Sequence, residues 1–182
     1  MDQAMATPAQ PGLNFRPFEE TDLPYVERIF REAFAPSRFE ADLSRGILGQ
    51  GREVDAHAWL ARIGSLPIAA ILFTPAKQAG QHVGYHLAPV AVQAEFQGKG
   101  IGSALVSHTL AQSPIGEQAV FVLGDPSFYE RFGFEPVQQA RCPFDPGNRH
   151  FRALRWFDDG VPFDIAYAPA FWEVPSDDCG NR

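Results

Sequence analysis

The sequence predicts one α/β domain in which strands and helices form layers, and three patterns carry that prediction. Apolar residues recur at helical spacing from Leu23 to Phe34, two apolar runs flank Gly64-Ser65 as in a β-hairpin, and residues 87–123 run strand, glycine cluster, helix, strand. At 182 residues the chain suits a single core, and 45% hydrophobic with 20% charged residues is ordinary globular usage.

Residues 1–12, with Pro8, Pro11 and Gly12, read as a flexible N-terminal tail, and the domain is expected over 13–170 with a C-terminal tail at 171–182. Leu13 to Arg16 alternates as a short strand. Leu23, Val26, Ile29, Phe30, Ala33 and Phe34 form the apolar stripe of a helix that starts at Thr21 or Asp22, carries Pro24 in its first turn and stops before Pro36. Residues 35–52 hold four Gly or Pro and fit a short helix plus loop. His57 to Ile63 and Leu66 to Thr74 are the hairpin, and a polar loop is expected at 75–82. Val83 to Val92 is the next strand; Pro89 has no N–H for a ladder and marks an edge or a bulge. Ile101, Ala104, Leu105, Val106 and Leu110 give a helical face to about Gln112. Ala119 to Leu123 is a continuous apolar run of the kind found in a covered parallel strand, which makes the segment a right-handed crossover. A short helix at Ser127 to Phe132 and strands near Phe134 to Gln138 and Phe163 to Ala168 complete the order.

Fifteen Lys and Arg against 22 Asp and Glu give a net charge of −7 and no basic cluster, so a nucleic-acid partner is not expected. An acidic surface favours the approach of a cationic small molecule or basic peptide. The absence of an apolar run of about 18 residues argues against a membrane role. Cys142 and Cys179 are far apart, lack metal-ligand spacing and follow no secretory signal, so a reducing, cytoplasmic location without metal is expected. Phe171 and Trp172 leave two readings open, a cap over a hydrophobic edge and a homodimer contact.

The string that carries chemistry is Leu87-Ala-Pro-Val-Ala-Val-Gln-Ala-Glu-Phe-Gln97-Gly-Lys-Gly-Ile-Gly102-Ser-Ala-Leu105. A strand leads through a glycine-rich turn into a helix whose first N–H groups have no partner within the helix and point outward from its positive end, a setting for a diphosphate. Gly98, Gly100 and Gly102 remove side chains that would hold phosphates away from the backbone. Other phosphate loops fit less well. Lys99 is followed by Gly100 and not by the Ser or Thr of a Walker loop, and Ser103 stands where a dinucleotide fingerprint needs glycine. A Gly-x-Ser-x-Gly hydrolase elbow is absent.

Gln97, Gly100 and Gly102 after a strand match a Gln/Arg-x-x-Gly-x-Gly/Ala signature. Downstream, Gly124-Asp-Pro-Ser-Phe-Tyr129-Glu-Arg-Phe-Gly133-Phe134 carries a Tyr-x-x-x-Gly-Phe stretch. Together these resemble the GNAT superfamily of acyl-CoA-dependent N-acetyltransferases, in particular its small stand-alone bacterial members. The resemblance implies a mixed, mostly antiparallel central sheet of six to seven strands, splayed between the fourth and fifth (Val83 to Val92 and Ala119 to Leu123), with helices on both faces. It implies acetyl-CoA as cosubstrate, its pantetheine paired with the main chain of Val90, Ala91 and Val92. Gln97, Gly98, Lys99, Gly100, Ile101, Gly102 and Ser103 would surround the diphosphate.

The implied reaction is direct transfer of acetyl to a primary amine of a small molecule or peptide in a ternary complex. A main-chain N–H near Val92 is a candidate for holding the developing oxyanion. Tyr129 is the candidate to hydrogen-bond or protonate the leaving thiolate, because the family's tyrosine at that place lies beside the sulfur and a phenol of pKa about 10 keeps its proton at neutral pH. His86, near the cofactor strand, is the candidate base for the acceptor ammonium, with Glu95, His57 and Glu32 behind it. The rival reading is a non-catalytic acetyl-CoA sensor or interaction module. The acceptor itself is not written in the sequence, since the family varies that site through the first helix, the 35–52 region and the C-terminal strands.

Overall fold

The computed structural model describes residues 12–49, 55–157 and 159–174. The strands are β1 (Leu13–Pro17), β2 (His57–Ile63), β3 (Leu66–Gln78), β4 (Gln81–Val92), β5 (Val120–Leu123), β6 (Glu135–Pro136), β7 (Ala140–Arg141), β8 (Phe151–Leu154) and β9 (Phe163–Ala166). The helices are α1 (Leu23–Ala33), α2 (Phe39–Leu48), α3 (Ile101–Thr109), α4 (Pro126–Tyr129) and α5 (Ala170–Glu173). Seven strands lie on one path in the order β1, β2, β3, β4, β5, β8, β6, while β9 joins the end of β3 and carries β7. Only β4–β5 on that path is parallel. This is the mixed, mostly antiparallel sheet expected of the resemblance.

Alternation along the strands sends side chains to two cores. On one face Ile71, Phe73, Tyr85, Leu87, Val120 and Val122 pack under Ile101, Leu105 and Val106 of α3, with Tyr129 and Phe134 beside them. On the other, Leu60, Ala70 and Ala91 meet Val26, Ile29 and Phe30 of α1, and Leu72 meets Leu43 and Ile47 of α2. The α1 stripe is therefore the predicted one. Arg45 of α2 donates from Nε to Glu27 of α1 at 2.9 Å, which fixes the two helices side by side.

Several expectations are corrected. The polar loop expected at 75–82 is the tip of a long hairpin: β3 runs to Gln78, β4 begins at Gln81, and Ala79 and Gly80 turn the chain with φ of 47° and 82°. Polar side chains at the far end of that hairpin concealed its pairing. The helix after the glycines ends at Thr109, short of Gln112, and the strand expected over 134–138 contracts to Glu135–Pro136. Strand β8 was not foreseen, because Arg152 interrupts an otherwise apolar four-residue run. Residues placed in the C-terminal tail begin inside α5, whose Phe171 is buried against Leu43 and Ile47. The rest of the two expected tails, 1–11 and 175–182, lies outside the described residues.

The central feature is where the sheet stops being a sheet. β4 and β5 pair at Tyr85↔Val120, His86↔Phe121 and Leu87↔Val122. Beyond Leu87, β4 continues to Val92 with β3 alone beside it. The two parallel strands therefore part at Ala88. A register shift coincides with the parting: Phe73 faces Leu87, but Ile71 faces Val90, so β4 carries one extra residue at Ala88-Pro89. The bulge anticipated at Pro89 reverses the alternation, putting Val90 and Val92 on the α3 face with Leu87 and sending Ala91 toward α1.

Candidate active site

The register also decides which main-chain groups face the gap. Gln93 N–H donates to Ile68 O at 2.9 Å, so in this antiparallel ladder Ala91, opposite Ala70, likewise turns its amide toward β3. Val90 and Val92 turn theirs away from β3, toward the side that β5 has left. Of the three residues expected to pair with pantetheine, two present main-chain groups to the gap and Ala91 does not. A buried unpaired amide is costly, so an edge left open inside a sheet is a place for an extended ligand that carries amides of its own.

At the end of β4 the chain passes through a single turn, Ala94–Phe96, into the glycine loop. Gln97 donates from Nε2 to Val92 O at 2.8 Å, clasping the loop to the strand through its side chain. Gly98 and Gly100 have φ of 71° and 77°, and Gly100 is the N-cap of α3. Among the described residues, the N–H groups of Gly98, Lys99, Gly100, Ile101, Gly102 and Ser103 donate to no protein acceptor; the α3 ladder begins with Ala104 N–H to Gly100 O at 2.9 Å. Six adjacent donors at a positive helix end form an anion cradle. A Cβ on Gly102 would lie 3.3 Å from Val92 Cγ2, so α3 seats closely on β4. Lys99 turns its ammonium to Glu95 O at 2.8 Å and over the Phe96 ring, leaving only its main chain to face the cradle.

Tyr129 closes α4 on the α3 face, its ring edge-on to Phe128 at 5.0 Å and Phe134 at 5.7 Å. The residue is 8% exposed, and among the described residues its hydroxyl has no hydrogen-bond partner, although it is not sealed from solvent. Burial, assisted by the charge of Asp125, pushes the phenol pKa above its ordinary 10. The proton is therefore held firmly at neutral pH.

His86 is not brought to the same place. It alternates to the opposite face, 1% exposed, stacked on Tyr167 with centroids 3.6 Å apart. Its Nε2 pairs with Ala166 O at 3.2 Å, and the ring is buried enough to push its pKa down to about 3. A ring with that pKa and no exposed nitrogen cannot collect a proton from an acceptor ammonium, which removes the reason for choosing His86 as base. Its Nδ1 and the hydroxyl of Thr74, directly across on β3, are buried without partners. His57 lies with Asp55 and the Tyr85 hydroxyl, 3.1 Å and 3.4 Å from its Nε2, behind the paired part of β4. Glu32 and Glu95 are exposed. No group of His, Cys, Asp and Glu among the described residues could hold a metal ion.

Comparison with known proteins decides the family. A family model described as an acetyltransferase (GNAT) domain matches residues 54–136. The Escherichia coli K12 protein named uncharacterized N-acetyltransferase YjhQ is 35% identical over 136 residues, which cover 71% of this chain and 70% of that protein. The chain belongs to the GNAT family of acetyltransferases. Among solved GNAT structures, Escherichia coli YhbS in complex with CoA superposes with a TM-score of 0.80 at 26% identity, covering 94% of this chain and 98% of that one. A Brucella melitensis GNAT acetyltransferase in complex with acetyl-CoA shares the fold, with a TM-score of 0.70 at 24% identity over 87% and 97% of the two chains.

Within this GNAT chain, two site features escaped the sequence reading. Gly124, quoted only as part of a motif, is where the ring of Tyr129 lies: an added Cβ would stand 2.6 Å from Tyr129 Cε2. Its spacing from Tyr129 was visible, but a contact across a turn was not. The second is a row of aromatic residues on the α1 face, Tyr167, Phe144 and Trp172: Trp172 was singled out in the sequence, but Phe144 lies far from the other two along the chain and only the fold joins it to them.

Proposed function

We propose that this chain transfers the acetyl group of acetyl-CoA directly to a primary amine of a small molecule or peptide. The observation that supports this most is the presence of three elements on the α3 side of the sheet: the six unpaired N–H groups of residues 98–103, the outward amides of Val90 and Val92, and Tyr129. The first suits a diphosphate, the second an amide-bearing arm, and the third the sulfur at its end. That YhbS and the Brucella protein were solved with CoA and acetyl-CoA supports the same cosubstrate here.

In the reaction the amine lone pair attacks the thioester carbonyl carbon, the C–N bond forms, and the C–S bond breaks. A main-chain N–H near Val92 would hold the oxygen while it bears charge. The ammonium gives one proton to water before the nitrogen attacks, the Tyr129 hydroxyl hydrogen-bonds or protonates the departing thiolate, and the second proton, shed as the nitrogen becomes an amide, restores the phenol or goes to water. Among the described residues the one cysteine, Cys142, is 2% exposed, with Sγ 3.4 Å from the Tyr167 hydroxyl, a placement that does not favour an acyl-enzyme on that thiol. Thiol release from acetyl-CoA, followed across a panel of amines with CoA binding measured by calorimetry, tests the reading. Amine-dependent release is expected; binding with no release for any amine would instead establish a sensor.

A further inference from the structure

On the α1 face, the parting of β4 and β5 is roofed by rings that belong to neither strand. Tyr167 stacks on His86 of β4 just before the parting. The loop carrying Phe144 is fixed at the other lip: Asp145 Oδ2 accepts from His150 N–H at 2.7 Å and from Phe151 N–H at 3.2 Å, and Phe151 pairs with Leu123, the last residue of β5. Phe144 meets the Tyr167 ring edge-on at 4.9 Å, and Trp172 stacks on Phe144 at 4.8 Å and 28°. Ala88, at the parting itself, packs in the same cluster as Tyr167 and Phe171. The rings thus tile outward from the gap to solvent, where Phe144 is 38% and Trp172 61% exposed.

We propose that this wall selects the acceptor, and that the acceptor is a primary amine borne on a flat aromatic body, an arylalkylamine. The inference rests on the acetyltransferase reading above. An acceptor nitrogen must reach the carbonyl carbon within the gap, so the rings outside contact what the nitrogen is attached to. Asp145, the acidic residue of the Phe144 loop, binds two main-chain N–H groups through Oδ2 and holds that loop in place, so the surface the wall presents is made mainly of the faces and edges of rings. A ring laid on Trp172 extends the existing stack, with offset geometry that aromatic pairs favour. A linear alkyl or polyamine acceptor gains much less from the same surface.

The test compares 2-phenylethylamine and tryptamine with butylamine. The arylalkylamines are expected to show kcat/KM at least tenfold higher. Trp172→Ala and Phe144→Ala should raise KM for the arylalkylamines about tenfold, with a much smaller effect on butylamine, while Trp172→Phe keeps the preference. Equal kcat/KM for aryl and alkyl amines, or equal losses for both in the ring variants, would overturn the proposal. Sedimentation showing a dimer that dissociates in Trp172→Ala would assign the wall to a second copy and overturn it too. Should no amine be acetylated, the reaction reading fails separately, and calorimetry of 2-phenylethylamine with CoA-saturated protein still decides: binding lost in Trp172→Ala upholds the wall as an aryl site, and no binding sinks it.

Discussion

Gly124 and Tyr129 occupy a shared volume: a Cβ on the glycine would stand 2.6 Å from Cε2 of the tyrosine ring, closer than real side chains approach. The ring is held by its edge-on contacts with Phe128 and Phe134. Gly124→Ala is expected to cost about 1–3 kcal/mol of stability through overpacking, and to move the phenol away from its working position. Thermal unfolding should report the first effect and kcat the second, with CoA affinity close to wild type. An alanine variant with unchanged Tm and kcat would show that the ring can shift freely.

Tyr129→Phe removes the hydroxyl and keeps the packing. Transfer should slow by a factor on the order of 100 or more, the range associated with one positioned proton donor, while calorimetric CoA binding stays the same. Because burial raises the phenol pKa, the wild-type rate should show no alkaline fall from this group below pH 10. Undiminished turnover in the phenylalanine variant would remove Tyr129 from the chemistry.

Gly100→Asp places a carboxylate at the mouth of the six-donor cradle, at a residue whose φ of 77° already disfavours a side chain. CoA binding is expected to weaken by roughly a hundredfold or more, through charge repulsion added to backbone strain. Gly100→Ala should show the strain alone and a smaller loss. Calorimetry on both separates the two contributions, and equal losses would argue that anion binding does not depend on this turn.

His86 makes a pH-dependent contribution to stability. Burial takes its pKa from the ordinary 6.5 down to about 3, the bond to Ala166 O opposing this weakly, so the unfolded chain binds a proton that the folded chain refuses. Linkage then gives stability that is complete above about pH 6.5 and is lost as pH falls toward 3, at a slope of about one proton. Tm should decline through that window, and His86→Phe should flatten the decline. The shape of the pH–rate profile between 6 and 8 should be the same in both proteins.

Much of the fold was legible because its signals are local. The α1 stripe of Val26, Ile29 and Phe30, the Gly64-Ser65 hairpin and the run of glycines before α3 each report on a few neighbouring residues, and each matched its element. Strand β8 and the long tip of the β3–β4 hairpin depend on partners far along the chain, and their own residues, Arg152 or Gln78 and Gln81, look like loop. The glycine turn with its unpaired main-chain donors was readable for the same local reason. The direction of His86 was not, since it is set by a β4 bulge and by Tyr167 arriving from near the other end of the chain.

The parting of β4 from β5 also divides the amides of one strand by their access to solvent deuterium. Val90 and Val92 carry hydrogens directed at an open seam, while Ala91 between them is locked to β3. An extended ligand seated in that seam would become an interposed strand, stitching the central layer across its whole width, and its departure would leave the layer open again.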